Sequence, residues 1–398
     1  MDTPFDPTSG WSRRPGSRFM LAQGWIAAVV AIFVTACTTA VVPTGTATKP
    51  TPTAPLSASI APAIAPTPSS TSDPPEPIPW EGVHVATGLA LVRYMGSGSP
   101  VGEVFVVDAG GEFHQLTGLG STSSLGASLP AWSPDGRHVA FGPPKNGAGP
   151  DRFLSVIEAD GSGERPLAAL GDEFGLPFGW SPDGATLLFF DIDAVDGPAM
   201  WLADVGSGEV RHLGVGQLPR WLPDGQRISF KRGVEGRDPT DPRALTEVIY
   251  VMSLDRGEEA ELARAADAIW SPDGSAVLLQ RATGDLLLAD ADGSNPRDLV
   301  RGWAPVWSPD GSRIVFTYDH NHDGIPLLAA VDRDGRALWS RVAGSSPTWS
   351  PDGSRIAVEV PFPELGVRVL DARTGDMLWE TAGAEPAWGP LGSAPALP

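Results

Sequence analysis

The loop Asp319-His320-Asn321-His322-Asp323-Gly324 sets oxygen-bearing side chains at alternate positions ahead of a glycine. Carboxylate and amide oxygens spaced in this way suit a hard cation, so Asp319, Asn321 and Asp323 are the candidate calcium ligands, and Ca2+ is the one cofactor the sequence raises. The twelfth position of such a loop, where a bidentate Glu would complete the shell, is Ala330. An Asx-rich turn joining two strands is the other reading of the same residues. Asp191, Asp193 and Asp196 make a looser acidic loop. His320 and His322 are two apart and would share one face of a strand. The other histidines, His84, His114, His138 and His212, stand away from the long loops, so a three-histidine transition-metal centre is not expected. The chain has no Gly-x-Ser-x-Gly elbow and no Gly-x-x-x-x-Gly-Lys phosphate cradle. No catalytic residue is assigned.

The chain has a single thiol, Cys37, so neither an internal disulfide nor a multi-cysteine zinc site can form. Its setting is informative. Arg13, Arg14 and Arg18 precede a nearly unbroken apolar run from Phe19 to Ala36, the layout of an export signal. The run ends Val34-Thr35-Ala36-Cys37, which resembles the bacterial lipobox. The resemblance implies that residues 1–36 are removed and that Cys37 carries a diacylglycerol. Residues 37–80 then form a tether. From Thr38 to Pro79, 32 of the 42 residues are Thr, Pro, Ala or Ser, too few apolar groups to fold. Fully extended, such a segment reaches roughly 130 Å.

Composition narrows the remainder. Among 398 residues there are 47 Gly and 41 Pro, which break helices and favour a turn-dense all-β protein. Lys and Arg number 28 against 48 Asp and Glu, a net charge of −20, so phosphate backbones are repelled and nucleic acid is not an expected partner.

Elements that could carry these loops follow from a repeat. Trp132-Ser133-Pro134-Asp135-Gly136 recurs at Trp180, Trp270, Trp307 and Trp349, with a variant at Trp221-Leu222-Pro223-Asp224-Gly225 and a decayed copy at Trp388-Gly389-Pro390. The tryptophans are 48, 41, 49, 37, 42 and 39 residues apart, the period of a four-stranded propeller blade. Ser-Pro-Asp-Gly suits a type I turn whose Gly takes positive φ and lets a hairpin continue. Asp108, Glu158, Asp204, Asp255, Asp290, Asp332 and Asp371 follow third strands and read as turn formers. Three strands are expected at Leu89–Tyr94, Val104–Asp108 and Phe113–Leu116, with no tryptophan motif, while Glu385-Pro386-Ala387-Trp388 is a lone first strand. Joined, they complete a seventh blade.

These repeats resemble the TolB-type, WD40-like propeller family. The resemblance covers residues 83–390 and implies an all-β, seven-bladed propeller, with 391–398 as a tail. TolB itself has an N-terminal α/β domain ahead of six blades and binds envelope proteins. The tether stands where that domain would be, so those partners do not carry over. The expected protein is a monomeric lipoprotein held at the extracytoplasmic face of a membrane or in the periplasm. Its expected role is a non-enzymatic binding platform for an envelope protein or glycan. The alternative is a propeller hydrolase or lyase acting on an extracellular carbohydrate. Anchoring rests on one sulfur: Cys37→Ala should abolish metabolic lipid labelling and leave the precursor uncleaved. Labelling that survived the substitution would overturn the lipoprotein reading.

Overall fold

The computed structural model describes residues 88–389, apart from 96–100, 109–110, 119–127, 144–152, 171–173, 192–197, 238–244, 319–325, 343 and 361–365. The described residues are all-β. In chain order the strands are β1 (Leu89–Met95), β2 (Val101–Val107) and β3 (Phe113–Gln115); β4 (Ser128–Trp132), β5 (His138–Gly142), β6 (Phe153–Glu158) and β7 (Arg165–Ala169); β8 (Phe174–Trp180), β9 (Thr186–Asp191), β10 (Ala199–Asp204) and β11 (Val210–Val215); β12 (Gln217–Trp221), β13 (Arg227–Arg237), β14 (Leu245–Ser253) and β15 (Glu259–Arg264). There follow β16 (Asp267–Trp270), β17 (Ala276–Gln280), β18 (Asp285–Asp290) and β19 (Arg297–Arg301); β20 (Trp303–Trp307), β21 (Arg313–Tyr318), β22 (Leu327–Asp332) and β23 (Ala337–Val342); β24 (Ser345–Trp349), β25 (Arg355–Val360), β26 (Gly366–Asp371) and β27 (Met377–Ala382); and last β28 (Ala384–Trp388). They form seven four-stranded antiparallel sheets. Blades 2 to 7 are consecutive sets of four. Blade 1 has the order β28-β1-β2-β3, with Leu89 opposite Trp388 and Ala90 opposite Ala387. The chain is a seven-bladed β-propeller closed by strands from both ends of the described region.

The core explains why the second and third strands read as unbroken apolar runs. Side chains alternate between the two faces of a strand, and each face meets a neighbouring blade. In β17, Ala276 and Leu278 pack toward Ile314, Phe316 and Val331 of blade 6, while Val277 and Leu279 pack toward Ile249 and Leu222 of blade 4. Seven such clusters occur among the described residues, one at each blade junction. Outer strands need cover less: β11 and β15 are largely exposed. Linkers between blades pass close beneath these cores. A Cβ on Gly216 would fall 2.6 Å from the Phe230 ring, so no larger residue fits there.

The repeated turn is held by its own side chains. At Ser308-Pro309-Asp310-Gly311, Gly311 N–H donates to the Ser308 carbonyl at 2.8 Å and Gly311 has φ +68°. The Ser308 hydroxyl donates to Asp310 Oδ1 at 2.5 Å and accepts the Arg313 N–H at 2.9 Å, while Asp310 Oδ1 also accepts the Ser312 N–H. Hydrogen bonding from Ser308, then from Ser312, with the charge of Arg313, holds the Asp310 carboxyl down at about 2. The same Ser–Asp link recurs at Ser133, Ser181, Ser271 and Ser350. At the variant, where Leu222 replaces the serine, Asp224 instead accepts from Arg227 Nε at 2.6 Å.

The acids after third strands do form turns: Asp371 accepts the Arg373 N–H, Asp332 the Asp334 N–H and Asp204 the Ser207 N–H. Asp255 is a correction. Ser253 ends β14, pairing with Glu258 and Gly257 as Asp371 pairs with Asp376 and Gly375, and Asp255 lies two residues further on. The Ser253 hydroxyl donates to the Asp255 carboxylate, so the acid here lies inside the turn and not at the strand end.

Closure is testable by truncation. Deleting 384–398 removes β28 and the Trp388 side chain, 9% exposed, from the core it shares with Leu89, Leu91 and Val369. Loss of such an aromatic costs roughly 3–5 kcal/mol. Thermal melts should show a large drop for that truncation and almost none for removal of 391–398. Equal melting of the two would overturn closure by β28.

Candidate functional site

Seven blade junctions built on one motif allow each to be compared with the rest. The innermost strands β28, β4, β8, β12, β16, β20 and β24 surround the propeller axis. Five of them share the pattern x-Pro-x-Trp, and in each the residue before proline is left-handed: Leu129, Leu218, Ala304, Ser346 and Glu385, with φ between 48° and 53°. Each sits in a bulge of the ladder. Non-glycine residues there cost about 1–3 kcal/mol and persist only when their surroundings fix them. One contact shows how: Glu385 Oε2 accepts the Leu129 N–H at 2.6 Å, tying blade 1 to blade 2.

The motif tryptophans link the junctions in three ways. Trp180, Trp221 and Trp307 each donate the indole N–H to the carbonyl just before the preceding motif tryptophan, namely Ala131, Gly179 and Ile269, at 3.0–3.1 Å. Trp132, Trp349 and Trp388 make no such bond among the described residues. Trp270 differs from both groups: its indole donates at 3.1 Å to Ala291, in the outer turn of its own blade.

The junction of blades 4 and 5 is therefore singular. Its inner strand β16 lacks the proline, runs Asp267-Ala268-Ile269-Trp270, and pairs with β17 without a bulge. Arg220, immediately before Trp221, meets Asp267 through two parallel bonds, Nε–Oδ1 at 3.2 Å and Nη2–Oδ2 at 2.8 Å. The negative charge of Asp267 raises the Arg220 pKa against the opposing effect of burial. Beside the pair opens a recess of about 280 Å3 lined by Gly179, Trp180, Pro219, Arg220, Trp221, Pro223, Ala268, Ile269 and Trp270. A second cavity of about 290 Å3 lies next to it on the turn face, bordered by Leu222, Asp224, Arg227, Trp270 and Asp273. Bonds from Ser271 and Ser275, with the charge of Arg333, hold the Asp273 carboxyl at about 2. Five of the seven motif tryptophans are buried; Trp180 and Trp221 are not, and both line the first recess.

Most residues singled out from the sequence lie elsewhere. Cys37, the tether 37–80, the tail 391–398 and the ligand candidates Asp319, Asn321 and Asp323 fall outside the described residues, as do His84, His320, His322, Asp193 and Asp196. The remaining histidines stand apart from the recess. His212 packs against Trp201 with ring centres 4.6 Å apart and planes tilted by 53°, and His138 lies 3.3 Å from Glu158 on the turn face. His114 Nε2 lies 2.9 Å from Asp108 Oδ2, and with Glu112 these residues bring three ligand atoms within 4.8 Å of one another. A divalent metal could be held there, but Asp108 also caps its own turn by accepting the Glu112 N–H, as Asp332 does without a histidine.

Arg220 and Asp267 were not singled out from the sequence. Two signals pointed at them: the Trp-Leu-Pro-Asp-Gly variant, and the one motif tryptophan without a proline in the three residues before it.

The fold and this recess define a seven-bladed propeller with one modified junction. No family model matches the chain. One curated relative, the uncharacterized peptidase YuxL of Bacillus subtilis (strain 168), is 27% identical over 216 residues, 44% of this chain and 32% of its own. The chain thus spans about a third of that relative. Among solved structures, an oligogalacturonate lyase in complex with manganese matches with a TM-score of 0.52 at 16% identity, over 73% of this chain and 85% of the lyase. TolB from Acinetobacter baumannii matches with a TM-score of 0.48 at 17% identity, over 76% of this chain and 67% of that one. Likeness at these identities speaks for the propeller fold alone.

The ion pair can be weighed by a double-mutant cycle. Asp267→Leu should destabilise the fold by about 1 kcal/mol, since the pair is partly open to solvent. Combining Arg220→Met with Asp267→Leu should recover most of the loss in urea unfolding. Additive single effects would mean that the two side chains do not act as a pair.

Proposed function

We propose that this chain is an extracytoplasmic, lipid-anchored propeller that serves as a non-enzymatic binding platform for an envelope protein or glycan. The observation that carries the reading is the recess beside Trp180, Trp221 and Trp270. Its lining is three indoles and an arginine already neutralised by Asp267. Acid–base catalysis needs a group free to take up or release a proton near neutral pH. A guanidinium whose pKa is raised by a carboxylate is the opposite of that, whereas indoles and a fixed fork of donors are groups for recognition. The tether and Cys37 support the location: a lipid at one end and a long solvated segment would hold the propeller at a distance from a membrane.

The second reading, a carbohydrate lyase or hydrolase, draws on the manganese-containing oligogalacturonate lyase of similar fold. It would place its chemistry outside the recess, with His320 and His322 as candidates from the sequence.

One experiment separates them. Full-length lipidated protein, immobilised and incubated with solubilised envelope, should retain a saturable partner without consuming it. The same preparation given manganese and oligogalacturonate should release no unsaturated product. Turnover of that substrate, abolished by His320→Ala, would overturn the platform reading in favour of the enzyme.

A further inference from the structure

The junction of blades 4 and 5 carries an indole partner, an inner-strand register and an arginine found at no other junction among the described residues, and Trp270, Arg220 and the inner strand border one recess. Trp270 turns its indole away to Ala291, so the Arg220 carbonyl does not receive it, although Ala131, Gly179 and Ile269 each receive one at their own junctions. Asp267 stands where Leu129, Leu218, Ala304, Ser346 and Glu385 are left-handed, and the strand there runs straight. Arg220 occupies a position held elsewhere by Ala131, Gly179, Ile269, Val306, Thr348 and Ala387, none of them charged. Trp180 and Trp221 leave part of their rings uncovered.

We propose that this recess is a subsite for one neutral sugar ring of a glycan, lying against Trp180 and Trp221 and hydrogen-bonded by Arg220. The inference rests on the reading of the propeller as a binding platform and names the ligand class of its recess. Size comes first: at about 280 Å3 the recess falls just below the usual range of ligand pockets, roughly 300–1,000 Å3, and suits no more than a single ring. Charge comes second. Asp267 takes the Nε and Nη2 donors of Arg220, so the pair is neutral as a unit and favours neither an anion nor a cation. Polarity comes third. Arg220 lines the recess with its side chain 39% exposed, and a wholly apolar ligand would strip that guanidinium of water without replacing its bonds. A pyranose ring satisfies all three conditions. One of its faces is C–H and packs on an indole, while its rim of hydroxyls both donates and accepts.

The test uses full-length protein on an array of neutral and uronic-acid oligosaccharides, with melting curves confirming that each variant folds. Binding should fall on neutral glycans and quench tryptophan emission in solution. Arg220→Lys keeps the charge opposite Asp267 but loses the planar fork, and should weaken binding about tenfold. Trp180→Phe should weaken it too, whereas Trp132→Phe, at the junction of blades 1 and 2, should not. An array with no signal, a signal confined to uronic acids, or neutral binding that both recess variants leave intact would overturn the proposal. An empty array alongside a protein retained from the envelope would remove the sugar subsite and leave the platform reading standing; turnover of oligogalacturonate would remove the platform itself.

Discussion

A blade of this propeller has no interior of its own. Its sheet is one strand layer thick, and the apolar clusters of the second and third strands lie against adjacent blades. Val315 and Leu328, in neighbouring strands of blade 6, share a cluster with Trp349 and Ile356 of blade 7, whereas Ile314 and Ala329 belong to the cluster with blade 5. The hydrophobic contribution to stability therefore arises between blades, at roughly 25 cal/mol per Å2 of apolar surface removed from water. That single constraint dictates the rest: the doubly apolar central strands, the more exposed outer strands, the large tryptophan at the inner edge and the need for a ring without a missing member.

Because the constraint is periodic, it is written periodically, and this is why the architecture could be read from the residues. Trp-Ser-Pro-Asp-Gly needs only local chemistry to make its turn, so the blade count and the pairing of Trp388 with the first strands were legible without coordinates. The first three strands fall within a few residues of their expected bounds. Asp255 was misplaced because a serine can occupy the turn position as well as an acid, which composition cannot distinguish. Arg220 and Asp267 were missed for a different reason. They lie 47 residues apart on separate blades, and whether they meet depends on how far around the ring one strand stands from the next. Periodicity describes what blades have in common, whereas the recess consists of what one junction does not share. The candidate cation ligands Asp319, Asn321 and Asp323 belong to a loop outside the described residues, where the pattern of side chains is the whole of the information.

The same logic bears on how a binding surface can arise in a repeat protein. Six junctions carry the stability of the ring, so one can be altered at modest cost. The fourth and fifth blades are of this kind: with Leu222 in place of serine the Asp224–Arg227 bond holds the turn, and with no left-handed residue at Asp267 its carboxylate is free to take the bidentate contact from Arg220.

The pairing of Leu89 with Trp388 also has a temporal meaning. It joins the first described strand to the last, a contact of very high sequence separation. Loop-closure entropy grows only logarithmically, each doubling of length costing about 0.6 kcal/mol, so the equilibrium penalty is small. The delay is not. A chain made from its N-terminus builds β1, β2 and β3 first, and the inner edge of β1 then waits, unpaired, until all six other blades have been synthesised. Throughout that interval the edge is a template for any passing strand. For a protein whose N-terminal segment reads as an export signal, the last strand to emerge is thus the one that ends exposure to aggregation.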